Sequence, residues 1–125
     1  MASAPVYAAT PRCSAVSIST AATNNRTGTS ASTVFTAGSS GSRIEEVRLK
    51  AQGTTTAGTV RFYVHNGSAF FILEEQAYPA NTASASNPSV EYTIQFSNLI
   101  LPSGYSLRAN IESGTWDIVA FGGDF

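Results

Sequence analysis

The stretch Thr59-Val-Arg-Phe-Tyr-Val-His-Asn-Gly-Ser-Ala-Phe-Phe-Ile-Leu-Glu-Glu-Gln76 decides the fold. Val60, Phe62 and Val64 alternate with Arg61, Tyr63 and His65, the period-two pattern of a strand that turns one face to a core and the other outward. Asn66-Gly67 follows. Both central positions of a tight hairpin turn require positive φ, which Asn and Gly adopt at least cost. Phe70 to Gln76 then returns as the partner strand. A β-hairpin is the expectation, and the helix period appears neither here nor elsewhere in the chain.

Working toward the C-terminus, Val90, Tyr92, Ile94 and Phe96 alternate with Glu91, Thr93 and Gln95. Pro102-Ser103-Gly104 marks a turn, after which Tyr105, Leu107, Ala109 and Ile111 alternate with polar residues. Ser113-Gly114 turns the chain into a last strand carrying Trp116, Ile118 and Ala120. Working toward the N-terminus, Arg43 to Gln52 reads as a strand in which Val47, Leu49 and Ala51 keep phase and Ile44 falls out by one position. One extra residue at Glu45-Glu46 restores the pattern, which predicts a β-bulge there. Thr33 to Ala37 is a short strand, and Cys13 to Thr20 sets Val16 and Ile18 against Ala15. About eight strands in 125 residues predict one all-β domain, an antiparallel β-sandwich or jelly roll over residues 13–125. Residues 1–12 show no alternation and hold Pro5 and Pro11. They are expected either to form an extended N-terminal arm reaching a neighbouring subunit or to fray.

The apolar fraction, 42%, is ordinary; the charged fraction, 12%, is half the usual ~25%. A neutral, hydroxyl-rich surface suits either a rigid extracellular-type domain or, the favoured reading, a subunit covered by its neighbours, because interface cores are depleted of charge. The net charge of −1 and the scatter of Arg12, Arg26, Arg43, Arg48, Lys50, Arg61 and Arg108 among acids argue against nucleic acid, which needs a concentrated basic stripe. No run approaches the ~20 apolar residues that cross a bilayer. Met1-Ala-Ser-Ala-Pro5 lacks the basic flank and apolar run of a secretory signal, so synthesis in a cytoplasm without processing is expected.

Catalytic arrangements are sparse. His65 is the only histidine and Cys13 the only cysteine. Any nucleophile–histidine pair must therefore pass through a residue at the mouth of the hairpin, and a zinc site lacks ligands. Glu45-Glu46 and Glu74-Glu75 are adjacent pairs, and neighbours on a regular strand point to opposite faces. Divided carboxylates do not converge on a glycosidic bond. No catalytic, cofactor or metal-ligating residue is expected.

Some strands are apolar on both faces, whereas a two-layer sandwich needs only one. Phe71, Leu73, Val119 and Phe121, with Phe125, form a spare set that a loop, the arm or a partner subunit must cover. Arg61 and Tyr63, outward on the first hairpin strand, join them as expected interface residues.

Four runs carry a resemblance. They are Thr20-Ala-Ala-Thr-Asn-Asn-Arg-Thr-Gly-Thr29, the segment from Gly41-Ser-Arg-Ile-Glu-Glu-Val-Arg-Leu-Lys50 through Val60-Arg-Phe-Tyr-Val-His-Asn-Gly67, Leu101-Pro-Ser-Gly-Tyr-Ser-Leu-Arg-Ala109, and the ending Phe121-Gly-Gly-Asp-Phe125. From Thr20 onward the chain resembles small proteins encoded among the structural genes of tailed bacteriophages, of the head decoration and cement kind. The resemblance implies a capsid-surface location in the virion after synthesis in the host bacterial cytoplasm. It also implies a homo-oligomer (trimer favoured, dimer as the alternative), the major capsid protein as partner, and no catalytic residues. A neck, baseplate or tail-fibre subunit is the alternative. A carbohydrate-binding sandwich using Tyr63, Tyr92, Tyr105 and Trp116 is a further one, although alternation sends the last three to the core.

Overall fold

Alternating apolar residues build eight strands and, among the described residues, no helix. The computed structural model describes residues 9–21, 26, 28 and 31–125. The strands are β1 (Thr10–Ile18), β2 (Ser32–Thr36), β3 (Ser42–Ala51), β4 (Gly58–His65), β5 (Phe70–Tyr78), β6 (Glu91–Leu101), β7 (Ser106–Asn110) and β8 (Trp116–Asp124). They form two four-stranded antiparallel sheets, one ordered β1-β8-β3-β6 and the other β2-β7-β4-β5, as expected of a β-sandwich. The pairings are nested: β1 lies on β8, β2 on β7, β3 on β6 and β4 on β5.

The core fills the space between the inner faces. From the first sheet come Ile18, Ile44, Val47, Leu49, Leu101, Trp116, Ile118 and Ala120, and from the second Phe35, Val60, Phe62, Tyr78, Leu107 and Ala109. The Tyr78 ring tilts against Trp116 at 4.7 Å between centroids, an aromatic pairing that adds to the area both bury. Tyr92 and Tyr105 pack against this cluster and Tyr63 is buried. Of the four rings considered for sugar stacking, Tyr63 and Trp116 are fully buried and Tyr92 and Tyr105 half-buried.

The predicted bulge is present. Ile44 pairs with Gly122 and Glu46 with Phe121, leaving Glu45 as the extra residue. Against β6 the same step spans Phe96, Ser97 and Asn98, since Ile44 meets Leu99 and Glu46 meets Gln95. Two further bulges were not expected: Phe62 pairs with Glu74 and Tyr63 with Ile72, so Leu73 has no opposite residue, and Thr33 pairs with Arg108 and Phe35 with Leu107, so Val34 has none. Gly122 sits where the first bulge brings β3 closest, and a Cβ there would run into the carbonyl of Arg43.

The N-terminal boundary differs from expectation. Thr10, Pro11 and Arg12, assigned to the arm, pair with Asp124, Gly123 and Gly122 as the start of β1. The strand extends because Arg12 has somewhere to go: its guanidinium donates to Asp124 and to the Thr36 carbonyl, both at 2.8 Å, and lies 4.1 Å over the Phe35 ring. Residues 1–8 of the expected arm lie outside the described residues.

Candidate interaction surface

The two long sides of the sandwich are built differently. On the β1/β2 side the sheets are stitched together: Ser14 Oγ donates to the Val34 carbonyl at 2.7 Å, and Arg12 bridges to Thr36. Asp124 completes this seam by accepting from Ser42 at 2.5 Å as well as from Arg12, and Ser42 Oγ accepts from the Gly38 amide at 2.8 Å. Hydrogen bonds from Ser42 and then Arg12 hold the Asp124 carboxyl below its ordinary range.

On the β5/β6 side no such stitch joins the sheets among the described residues, and the edge is open. Phe71, Ile72 and Leu73 are 56%, 42% and 40% exposed on edge strand β5, and Ile100 of edge strand β6 is 47% exposed. Leu73 shares a cleft with β6 residues Gln95 to Leu99, including Phe96. The Glu45 bulge borders the same end, in a cleft with Glu46, Gln95, Phe96 and Ser97. The irregularities of β3, β6 and β5 thus converge on one open edge. An edge strand carrying unpaired backbone groups and a run of exposed apolar side chains is a template for association, which isolated proteins normally blunt with charge or proline. Here the charge, Glu74 and Glu75, begins only after the apolar run.

The structure separates the expected interface set. Phe71 and Leu73 lie on the open edge. Val119 and Phe121 lie on the outer face of the other sheet, half-buried beside Ala15 and Cys13 of β1, with the Arg48 guanidinium 5.4 Å from the Phe121 ring. Phe125 is half-buried at the chain end, its amide donating to the Gly41 carbonyl at 3.1 Å. Ile72 and Ile100 were missed, and they enlarge the exposed apolar surface beyond the expected pair.

Arg61 and Tyr63, expected among the interface residues, are buried within the chain. Both point outward from their sheet, yet Arg61 is only 4% exposed and Tyr63 is fully buried. The reason is a cover over the outer face. Arg61 donates to Glu75 at 2.8 Å and to Glu112 at 2.6 Å, and Arg26, in the β1–β2 connection, also reaches Glu75 at 3.1 Å. Burial opposes the charge on Arg61, but the bonds and charges of Glu112 and Glu75 outweigh it and raise its pKa. Arg61 and then Arg26 lower that of Glu75, while burial pushes the Tyr63 hydroxyl up. Tyr63 meets the Phe70 ring edge-on at 6.3 Å, and buried Gly28 sits against the other end of this cover, with no room for a Cβ beside Phe70. This ion-pair network around buried Arg61 was invisible to strand alternation.

His65 and the Glu45-Glu46 pair are engaged locally. His65 is half-buried, its ring tilted on Phe70 and its Nδ1 accepting from the Gly67 amide. Glu45 pairs with Arg43 at 2.8 Å and Glu46 with Arg48 at 2.7 Å, so that acid pair is divided between two arginines. Cys13 is a free, exposed thiol. Among the described residues, no three His, Cys, Asp or Glu side chains gather in a metal-holding group. Comparison of the chain with protein-family models, with curated proteins and with solved structures finds no match.

Proposed function

We propose that the sandwich is a jelly roll and that the chain is a structural protein of a tailed-phage particle, seated on the head as a decoration or cement subunit. Support for the jelly roll comes from the nested pairing of β1 with β8, β2 with β7, β3 with β6 and β4 with β5. One long antiparallel hairpin of eight segments, wrapped into two layers, generates that order.

The observation that carries the functional reading is the open β5/β6 edge with Phe71, Ile72, Leu73 and Ile100 exposed. A shell subunit acts by covering such surface, on its own copies or on the major capsid protein, and repeated weak contacts sum across a shell. The phage assignment itself rests on the resemblance of the runs quoted above. The test is to mix the purified protein with expanded, undecorated heads and to count its copies in purified particles. Saturable binding and copy numbers matching the capsid lattice are expected. Absence of binding, or a copy number matching a single ring at the neck, overturns the head assignment.

A further inference from the structure

We propose that the β4–β5 turn is a self-modification site, where Asn66 cyclises onto the Gly67 backbone nitrogen and is converted to aspartate and isoaspartate. Cyclisation needs an unshielded amide nitrogen beside a side-chain carbonyl, a base for the amide proton, and donors for the oxygen that gains charge. The turn brings all of these together. Gly67 has φ +97° and no side chain, and its surroundings are open, the nearest atom to a Cβ there being the Gly104 carbonyl oxygen at 3.6 Å.

The Gly67 N–H donates to His65 Nδ1 at 3.2 Å, within reach of a general base. The His65 ring is held in place by Phe70, with centroids 4.4 Å apart and planes 51° apart. Asn66 Oδ1 accepts from the backbone N–H groups of Ser68 at 2.9 Å and Ala69 at 2.8 Å. Two amide donors aimed at one carbonyl oxygen are the arrangement that stabilises a tetrahedral intermediate. The Asn66 backbone N–H donates to the Ala69 carbonyl at 3.2 Å, closing the loop around the reacting atoms.

In the reaction, His65 Nδ1 takes the Gly67 amide proton as the bond from Gly67 N to Asn66 Cγ forms. That proton passes to the departing nitrogen as the Cγ–Nδ2 bond breaks, and ammonia leaves a cyclic succinimide. Water then adds to either ring carbonyl, giving aspartate or isoaspartate. No oxidant or reductant is involved. The product places a negative charge, and in the isoaspartyl form a longer backbone, at the tip of the hairpin whose return strand carries Phe71, Ile72 and Leu73.

The full chain is aged at neutral pH and mapped by peptide mass spectrometry, with fragmentation that separates aspartate from isoaspartate. Asn81, Asn87, Asn98 and Asn110, none followed by glycine, serve as internal references. Asn66 is expected to convert first, with isoaspartate among the products. His65→Ala and His65→Gln are each expected to slow it ~10-fold or more, since a positioned base contributes at least that much; the Gln variant keeps an acceptor but no base. Conversion of Asn66 no faster than Asn81 or Asn98, aspartate without isoaspartate, or unchanged rates in both variants overturns the proposal.

Discussion

Arg61 shows how a charged residue comes to lie on an outward face and yet be buried. Its guanidinium is held between Glu75 and Glu112, with Arg26 supporting Glu75 from the β1–β2 connection. Arg61 is buried, but Glu75 and Arg26 keep much of their surface in water, so loss of the guanidinium leaves carboxylates that solvent can reach. Arg61→Ala is therefore expected to destabilise the fold by about 1–2 kcal/mol, read by urea denaturation, while a lysine at that position recovers only part because it lacks the bidentate fork. Asp124 and Glu75 make the pH dependence predictable. Both are held below the ordinary range, so the stability they lend is full above the unfolded-state value of about 4 and is lost as pH falls through the lower folded-state values. The melting temperature should hold steady near neutrality and drop on acidification, and Asp124→Asn should flatten that drop. An identical acid profile in the variant contradicts the role of the Ser42–Asp124–Arg12 seam.

At the scale of elements, alternation made the eight strands legible, and the phase slip of Ile44 against Val47 located the Glu45 bulge. The same signal failed at Leu73 for a physical reason. Phe70, Phe71, Ile72 and Leu73 are all apolar, so a slip within them leaves no trace in the hydrophobic pattern, and Ile72 emerged exposed rather than facing the core. Burial of Arg61 and Tyr63 was equally illegible, because their cover includes Arg26 and Gly28, which are remote in sequence. The N-terminal boundary was missed because Thr10 to Arg12 gain their place from Asp124 at the opposite end of the chain, and Pro11 there tolerates an edge strand. The first bulge also yields a prediction. Gly122→Ala places a Cβ against the Arg43 carbonyl and should cost about 2 kcal/mol as backbone overpacking. A denaturation midpoint unchanged from wild type contradicts the close approach of β3 and β8.

At the scale of the molecule, the sandwich is asymmetric, stitched along β1/β2 and open along β5/β6. The open side gathers the irregular segments of three strands and the most exposed apolar side chains, which makes it the surface through which the chain is argued to assemble. Lysines at Phe71 and Leu73 should leave folding nearly intact, since the two side chains are 56% and 40% exposed and changes at such surface positions stay within about 0.5 kcal/mol. The most direct test is sedimentation of the wild-type chain beside the Phe71→Lys/Leu73→Lys variant at micromolar concentration. The wild type should sediment as an oligomer and the variant as a folded monomer with the same melting temperature; a monomeric wild type, or an oligomer that survives both lysines, contradicts an assembly edge on β5.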